Sequence, residues 1–191
     1  MKSRQLKLLA DQPKAFGGEL LKTRKGRSQP RPLSTRESMH LVLRSSKAKG
    51  AWAFNKGSNS GQIEKIVLKF AGKYGVKIYS LANVGNHLHF HIKLSNRHLY
   101  RPFIRAITAA IAMKVTGASR WKKLKSTARD RFWDYRPYTR VVRSWRAFLS
   151  LKDYIRVNSW EGWGSSRQGA RFLVAWDRAS LEDKARWRES G

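Results

Sequence analysis

The segment between Asn86 and Leu94 alternates strictly between polar and apolar residues, which is the pattern of a β-strand with one buried face. Side chains of a strand point alternately to its two faces. The apolar face carries Leu88, Phe90, Ile92 and Leu94. The other face carries His87, His89, His91 and Lys93, and its three histidines are drawn from only five in the chain. Such a row of imidazoles can bind a metal ion or a phosphate, whereas polar rings in a row are not expected in a buried core.

The charge of the chain indicates the class of its partner. Lysine and arginine number 41 against 12 acidic residues, which gives a formal net charge of +29. This much positive charge opposes compaction unless a polyanion neutralises it. An anionic membrane is the alternative partner, but the sequence shows no bilayer-spanning apolar run, no basic helix with a lipid-facing stripe and no signal-peptide core. We therefore predict nucleic acid as the partner, and no membrane.

The chain contains no cysteine, so any metal must be held by histidine, carboxylate or amide side chains. Its 191 residues predict one domain with extensions. Residues 1–34 are basic and poor in core formers, which favours an arm that becomes ordered on a nucleic acid. The candidate DNA-binding residues of this arm are Lys22, Arg24, Lys25, Arg27 and Arg31. A merely solubilising tail is the alternative interpretation.

The remaining periodicities predict the order of the elements. We expect strands at 39–44, 76–83, 87–94 and 132–142, and helices at about 63–74, 102–116 and 145–158. This order is that of an α+β, ferredoxin-like (split βαβ) antiparallel sheet with one appended C-terminal helix. The two earlier helices must then cover the apolar face of the histidine strand. The histidine face is left for the appended helix and the substrate.

The appended helix carries the other half of the candidate site. Tyr154 and Asn158 are four residues apart, so they project from the same face of the helix. A helix packed over the open sheet face aims them at His87 and His89. Two imidazoles and one carboxamide oxygen then make a three-point metal site, and the phenol one turn away supplies a nucleophile. The rival tyrosines share no helix face with such a carboxamide and are interpreted as packing or stacking residues: Tyr74, Tyr79, Tyr100, Tyr135 and Tyr138.

Basic and aromatic residues also alternate between the second and third helices. Aromatic faces stack on unpaired bases while cations follow the phosphates, so this pattern favours binding of single-stranded nucleic acid. The candidate DNA-binding residues here are Trp121, Lys122, Lys123 and Arg140. Trp145 instead falls on the apolar stripe of the appended helix, and we interpret it as a core residue.

Four segments together resemble the single-tyrosine HUH transposases, most closely the branch of REP-associated tyrosine transposases. They are MHLVLR at 39–44, GNHLH at 85–89, RFWD at 131–134 and DYIRVN at 153–158, so the resemblance covers about residues 34–161. The chain departs from the family pattern at Ser159, where proline is common, and at His91, where an aliphatic residue is common. No metal role is therefore carried over to His91.

The resemblance implies that His87, His89 and Asn158 bind Mg²⁺ or Mn²⁺ and that Tyr154 attacks a DNA phosphate. An ordinary phenol has a pKa of about 10, so it needs the cation as a Lewis acid at neutral pH. The product would be a 5′-phosphotyrosine and a free 3′-hydroxyl, which allows rejoining without ATP. The substrate would be single-stranded or hairpin DNA, and the protein cytoplasmic, prokaryotic and associated with the nucleoid when bound to DNA.

The implied division of the chain is a basic arm at 1–34, a transposase domain at 35–161 and a C-terminal extension at 162–191 with no assigned role. The appended helix either packs on its own subunit or swaps onto a partner in a homodimer. Two other functions stay open: a non-catalytic ferredoxin-like protein that binds RNA or single-stranded DNA, and a metal-dependent phosphodiesterase that uses water.

Overall fold

A computed structural model describes residues 15–18, 31–118 and 131–179 of the chain. Within these ranges the strands are β1 (Ala15–Phe16), β2 (Ser38–Arg44), β3 (Val76–Asn83), β4 (His87–Leu94) and β5 (Tyr138–Val142). The helices are α1 (Asn59–Lys73), α2 (Tyr100–Thr116), α3 (Trp145–Gly162) and α4 (Arg167–Arg178), with 3-10 turns at Gly50–Trp52 and Arg97–Leu99. The strands form one antiparallel sheet in the order β1-β5-β2-β4-β3. Apart from the short β1, this is the predicted α+β, ferredoxin-like arrangement.

The main core lies between one face of the sheet and the helices α1 and α2. Leu88, Phe90 and Ile92 of β4 are fully buried in it. The helices contribute Ile63, Val67, Phe103, Ile107 and Ile111 to the same cluster. Each large apolar side chain that is fully buried contributes about 1.5–3 kcal/mol. The prediction that two helices cover the apolar face of the histidine strand is therefore confirmed.

The opposite face of the sheet carries the histidines and is covered by α3. Residues paired directly across antiparallel strands point to the same face. The pairing of His40 with His91 therefore places His40 of β2 on the histidine face of β4. The contact with α3 is made by Ala82, Val142, Leu151 and Ile155, with Phe148 packed beside them. The appended helix thus lies over the predicted face of the sheet. It packs on the sheet of its own chain, which is one of the two arrangements that the sequence left open.

Some element boundaries differ from the predicted ones. β5 begins at Tyr138 rather than at residue 132, because Pro137 has no N–H with which to extend the strand ladder. α3 continues one turn past Asn158 to Gly162, and Ser159 lies within it where a proline would have disfavoured the helix. Strand β1 and helix α4 were not predicted. No helix in the described ranges has both the length and the apolar character to cross a membrane.

The end of α3 lies against the turn between β3 and β4. A Cβ atom at Gly162 would come within 2.2 Å of the carbonyl oxygen of Asn83, so only glycine permits this approach. The carbonyl oxygen of Gly162 also accepts a hydrogen bond of 3.1 Å from Asn55 Nδ2. These contacts fix the helix that carries Tyr154 relative to the strand that carries the histidines.

Helix α4 packs on the side of α3 that faces away from the sheet. Val157 of α3 is buried against Val174 of α4. An ion pair of 2.7 Å joins Arg178 of α4 to Asp153 of α3. Such exposed pairs contribute at most about 1 kcal/mol, so the apolar contact holds the two helices together. The helix that carries Tyr154 is therefore supported on both sides.

Candidate active site

The rings of Tyr154 and His89 meet edge to face between α3 and β4. Their centroids are 5.4 Å apart and their planes lie at 85°. His87 lies beside His89, with ring centroids 4.8 Å apart. Tyr154 is 40% exposed, whereas Leu151 and Ile155 next to it on the helix are buried. Three of the four predicted residues therefore come together, with the phenol accessible to a substrate.

His40 is a member of this cluster that the sequence reasoning missed. Its Nε2 lies 3.2 Å from Nδ1 of His89, and the two rings stack at 15°. Its ring is also 5.9 Å from that of Tyr154. Part of the signal was present in the sequence, because the apolar residues Met39, Leu41 and Leu43 alternate with polar ones except at Val42. The first and third strands of a split βαβ sheet are also neighbours. That neighbourhood places His40 beside the histidine row.

The hydrogen bonds of the imidazoles leave two nitrogen atoms available for a cation. Nδ1 of His87 lies 2.6 Å from Oδ1 of Asn86. Because an amide oxygen can only accept a hydrogen bond, Nδ1 is the donor and carries the proton. In a neutral ring, Nε2 of His87 then keeps its lone pair. When Nδ1 of His89 donates to His40, Nε2 of His89 is likewise unprotonated. This buried Nε2 atom has no hydrogen-bond partner among the described residues. An orphaned acceptor next to a second one fits a metal ligand.

The surroundings keep these imidazoles neutral. Burial lowers the pKa of His89 to about 3, and the neighbouring His40 and His87 add to the effect. Burial also lowers the pKa of His40 to about 3, with a further contribution from the positive charge of Arg140. The pKa of His87 is lowered by burial and by Arg44. Neutral rings at pH 7 have lone pairs to offer to a metal or to a proton.

Asn158, the fourth predicted residue, is buried on the inner side of α3, with 5% of its surface exposed. Its Nδ2 atom donates a hydrogen bond of 2.6 Å to the carbonyl oxygen of Tyr154. Within the described part of the chain it makes no hydrogen bond to an imidazole, and Oδ1 is the atom left to serve as a ligand. The described ranges contain no group of three histidine or acidic side chains arranged as a metal site. The predicted metal ligands are two histidines and the carboxamide oxygen of Asn158, and an oxygen ligand of this type suits Mg²⁺ and Mn²⁺.

A cavity of about 490 Å³ lies beside Tyr154, between α3 and the sheet. Its lining includes His40, His89, Tyr138, Arg140 and Tyr154. Arg140 pairs with His40 across β2 and β5, so the predicted DNA-binding arginine lies on the histidine face. The volume is within the range of about 300–1,000 Å³ that is usual for sites of small organic ligands. The cavity therefore offers a positively charged, aromatic compartment next to the candidate nucleophile.

His91 is the third histidine of the row, but its environment differs from that of the other two. It is fully buried, and its ring packs against Phe148 at 4.4 Å and against Tyr79 at 5.1 Å. Tyr79 reaches this face because a bulge shifts the register of β3 between Ile78 and Ser80. His91 Nε2 lies 2.7 Å from the hydroxyl of Ser38. Its Nδ1 atom is buried and, like Nε2 of His89, has no hydrogen-bond partner among the described residues. These contacts show a packing role for His91, and no metal role is assigned to it.

Among the rival tyrosines, Tyr100 and Tyr138 differ sharply. Tyr100 is buried, and burial raises its pKa to about 12, which opposes a role as nucleophile. Tyr138 lines the same cavity as Tyr154, with its ring 5.8 Å from that of His40. The sequence did not predict that a second tyrosine would share the site.

The predicted DNA-binding residues of the arm and of the segment after α2 fall mainly outside the described residues: Lys22, Arg24, Lys25, Arg27, Trp121, Lys122 and Lys123. Arg31 is described, and it contacts the protein itself. Its Nη1 atom donates to the carbonyl oxygen of Pro137 at 2.7 Å and to Thr139 Oγ1 at 2.9 Å, and its guanidinium lies over the ring of Phe16. These contacts tie the end of the arm to β5, and DNA binding by Arg31 stays a prediction.

Trp145 is not the core residue that the helical periodicity indicated. It is 70% exposed and stacks on Phe148, with ring centroids 5.1 Å apart. It is the first residue of α3, so it lies beyond the part of the helix that contacts the sheet. Periodicity assigns a residue to a helix face but does not show how far the covering surface extends.

No family model matches the sequence, and no curated protein is detectably similar to it. Several solved structures resemble the fold. One is a REP-associated tyrosine transposase bound to a REP hairpin, with a TM-score of 0.54 and 13% identity, covering 71% of this chain and 74% of that chain. Another is a candidate transposase from Deinococcus radiodurans R1, with a TM-score of 0.41 and 18% identity, covering 69% of this chain and 95% of that chain. The first likeness shows that this chain has the fold of a tyrosine transposase.

Proposed function

We propose that this chain is a transposase that cleaves and rejoins single-stranded or hairpin DNA, with Tyr154 as its nucleophile. The observation that carries the proposal is the contact of Tyr154 with His89 beside a cavity of nucleotide-compatible size. The formal net charge of +29 suits a polyanionic substrate. The shared fold with a tyrosine transposase, which in that structure is bound to a REP hairpin, also supports it.

In the proposed reaction, the hydroxyl oxygen of Tyr154 attacks the phosphorus of a DNA phosphodiester. A bond forms between this oxygen and phosphorus while the bond from phosphorus to the 3′-oxygen breaks. The proton that the phenol loses is balanced by the one that the 3′-oxygen gains. One phosphodiester replaces another, so a 3′-hydroxyl can reverse the step and rejoin the strand without ATP.

A divalent cation, Mg²⁺ or Mn²⁺, held by His87, His89 and Asn158 would polarise the scissile phosphate as a Lewis acid. The two imidazoles would hold the cation through the lone pairs of their Nε2 atoms. His40 holds the ring of His89 in the orientation and tautomer that leave its Nε2 atom available. The hydrogen bond from Asn158 Nδ2 to the carbonyl oxygen of Tyr154 fixes which atom of the carboxamide is free to bind.

The proposal is tested by incubating the full chain with a labelled single strand that carries a hairpin, in the presence of Mn²⁺. The expected product is a covalent protein–DNA adduct that survives denaturing electrophoresis and maps to Tyr154 by mass spectrometry. Tyr154→Phe should form no adduct but should bind the DNA. Tyr79→Phe is a matched control, because it removes a hydroxyl from a tyrosine that contacts His91 and Phe148 rather than the cavity.

Three results would contradict the proposal in different ways. An adduct that persists in Tyr154→Phe would assign the nucleophile to another residue. Cleavage without any adduct would indicate a phosphodiesterase that uses water. Binding with neither cleavage nor adduct across a range of hairpin substrates would indicate a binding protein.

A further inference from the structure

The cavity beside Tyr154 continues into a second cavity along α3. The second has a volume of about 400 Å³. Arg140 and Ser150 line both cavities, so the two adjoin at these residues. The first contains Tyr154, and the second reaches Arg143 and Ser144 at the beginning of α3. Together they form a groove, which we call the α3–β5 groove.

The groove is longer than a reaction at one phosphate requires. Ser144 and Tyr154 are ten residues apart along the helix, which corresponds to about 15 Å at about 1.5 Å per residue. Tyr138, Arg140 and Val142 alternate along the opposing strand on the same face. One wall is therefore helical and the other is a strand, over a length that extends well beyond the nucleophile.

Arg140 is the charged residue at the junction of the two cavities. It is half-buried, and within the described ranges its side chain makes no hydrogen bond or ion pair. A partly desolvated guanidinium without an acidic partner is costly, and a phosphate supplies the missing acceptor oxygens. Its charge already contributes to lowering the pKa of the neighbouring His40. Among the described residues, Arg140 thus places an unpaired positive charge at the centre of the groove, which favours binding of an anion there.

We propose that the α3–β5 groove is the channel for a single DNA strand, with Arg140 binding a backbone phosphate next to the one attacked by Tyr154. The position of the strand relative to Tyr154 rests on the proposed function. The binding of a single strand in the groove does not depend on it. Cavities of 490 and 400 Å³ accommodate units of nucleotide size, whereas the two strands of a duplex require a much wider surface. The ring of Tyr138 gives the first cavity an aromatic surface for a base.

The channel is tested by binding in the Tyr154→Phe background, so that chemistry does not interfere. The probe is a fluorescein-labelled oligothymidylate of about 12 nucleotides, within the usual footprint of single-strand binders. Anisotropy titrations at several salt concentrations give both the affinity and its salt dependence. A duplex of the same length is titrated in parallel.

Two variants alter the groove in different ways. Arg140→Gln should weaken single-strand binding about tenfold and reduce the slope of log K against log salt by about 0.7, the contribution of one phosphate contact. Ser150→Leu should obstruct the junction of the cavities, weakening binding without changing the salt slope. Ser150 is exposed, so the larger side chain should leave the melting temperature of the protein near the wild-type value.

Matched controls lie elsewhere on the surface. Arg105→Gln removes one exposed arginine from α2, which packs on the other face of the sheet. Ser58→Leu adds the same bulk at an exposed serine next to α1. Both should bind the oligonucleotide like the parent protein.

The outcomes separate the channel from the proposed chemistry. If Arg140→Gln and Ser150→Leu bind like their controls while the wild type forms the adduct, the channel is wrong and the function stands. If both variants lose affinity although no adduct forms in the wild type, the channel stands and the chemistry is wrong. Equal losses for the duplex and the single strand would overturn the assignment to a single strand.

Discussion

Tyr138 and Tyr154 approach the ring of His40 at nearly the same distance, with centroid separations of 5.8 and 5.9 Å. One comes from a strand of the sheet and the other from the helix above it. Only Tyr154 is also in ring contact with His89, at 5.4 Å. Two phenols therefore share one cavity, and their positions relative to the proposed metal ligand distinguish them.

This arrangement predicts that Tyr138→Phe retains the covalent adduct with DNA, because the attacking oxygen must be next to the proposed metal ligands. Tyr154→Phe should lose the adduct completely. Denaturing gels of the two variants, run with the same labelled hairpin substrate, make the comparison. Loss of the adduct in Tyr138→Phe alone would exchange the roles of the two tyrosines.

Removal of either proposed imidazole ligand should abolish metal binding and cleavage together. His87→Ala or His89→Ala leaves one imidazole and one carboxamide, which form a weak site. Calorimetric titration of the DNA-free protein with Mn²⁺ measures the loss, and the adduct assay measures the activity. His91→Ala should retain metal binding, because His91 packs between Tyr79 and Phe148. Normal cleavage by a protein without both His87 and His89 would rule out this metal site.

His40→Ala should weaken Mn²⁺ binding by about 10-fold to 100-fold, the usual effect of losing a partner that orients a metal ligand. His40→Gln should recover part of the affinity, because its side-chain oxygen accepts a hydrogen bond from His89 Nδ1. Nitrogen chemical shifts of the imidazoles in the metal-free protein report the tautomer directly. An unchanged tautomer of His89 in His40→Ala would show that His40 does not position it.

Asn158→Ala should reduce the affinity for Mn²⁺ by about 10-fold to 100-fold. This loss of metal affinity lies between that of Tyr154→Phe, which should retain metal binding, and that of His87→Ala or His89→Ala, which should abolish it. The residue is buried and bonded to the carbonyl oxygen of Tyr154, so the melting temperature must be measured beside the affinity. Asn158→Asp should recover metal binding, because a carboxylate supplies an oxygen at the same place. Identical Mn²⁺ affinity in Asn158→Ala and the wild type would remove Asn158 from the ligand set.

The metal-free protein should lose stability as the pH falls below about 6.5, the ordinary pKa of histidine. Burial lowers the pKa of His40 and of His89 to about 3, so between these values the unfolded chain binds protons that the folded chain does not. Acid therefore favours unfolding in this window, whereas above it both states are neutral at these sites. Melting temperatures from pH 7.5 to pH 4 test this, and His40→Gln should flatten the curve. A wild-type melting temperature that is constant over the range would contradict it.

The histidine strand and the order of the elements could be predicted because their signals are local. A period of two places His87 and His89 on one face, and a spacing of four residues places Tyr154 and Asn158 on one face of a helix. The two hydrophobic helices then have only the apolar side of the strand to cover. The α+β, ferredoxin-like architecture follows from these repeats and from short connections between neighbouring elements.

The composition of the cavity depended on contacts between residues that are distant in the sequence. His40 entered the site because β2 pairs with β4 in a register that sets it opposite His91, and a slip of one residue would turn it to the other face. Tyr138 and Arg140 entered because β5 pairs with the other edge of β2. A single sequence shows which residues can share a face, but the pairing partner and its register are set by the packing of the whole core.

The position of α3 was also decided by tertiary contacts. The close approach of Gly162 to Asn83 and the packing of α4 fix how the helix lies on the sheet, and this determines that Tyr154 is accessible while Asn158 is buried. The same placement leaves Trp145 in solvent, although its spacing matches the buried stripe. The sequence by itself determined which chemical groups the protein has and which faces they share. Only the tertiary structure decided which faces meet and where the substrate can enter. The reason is that a face is buried only where another element packs against it.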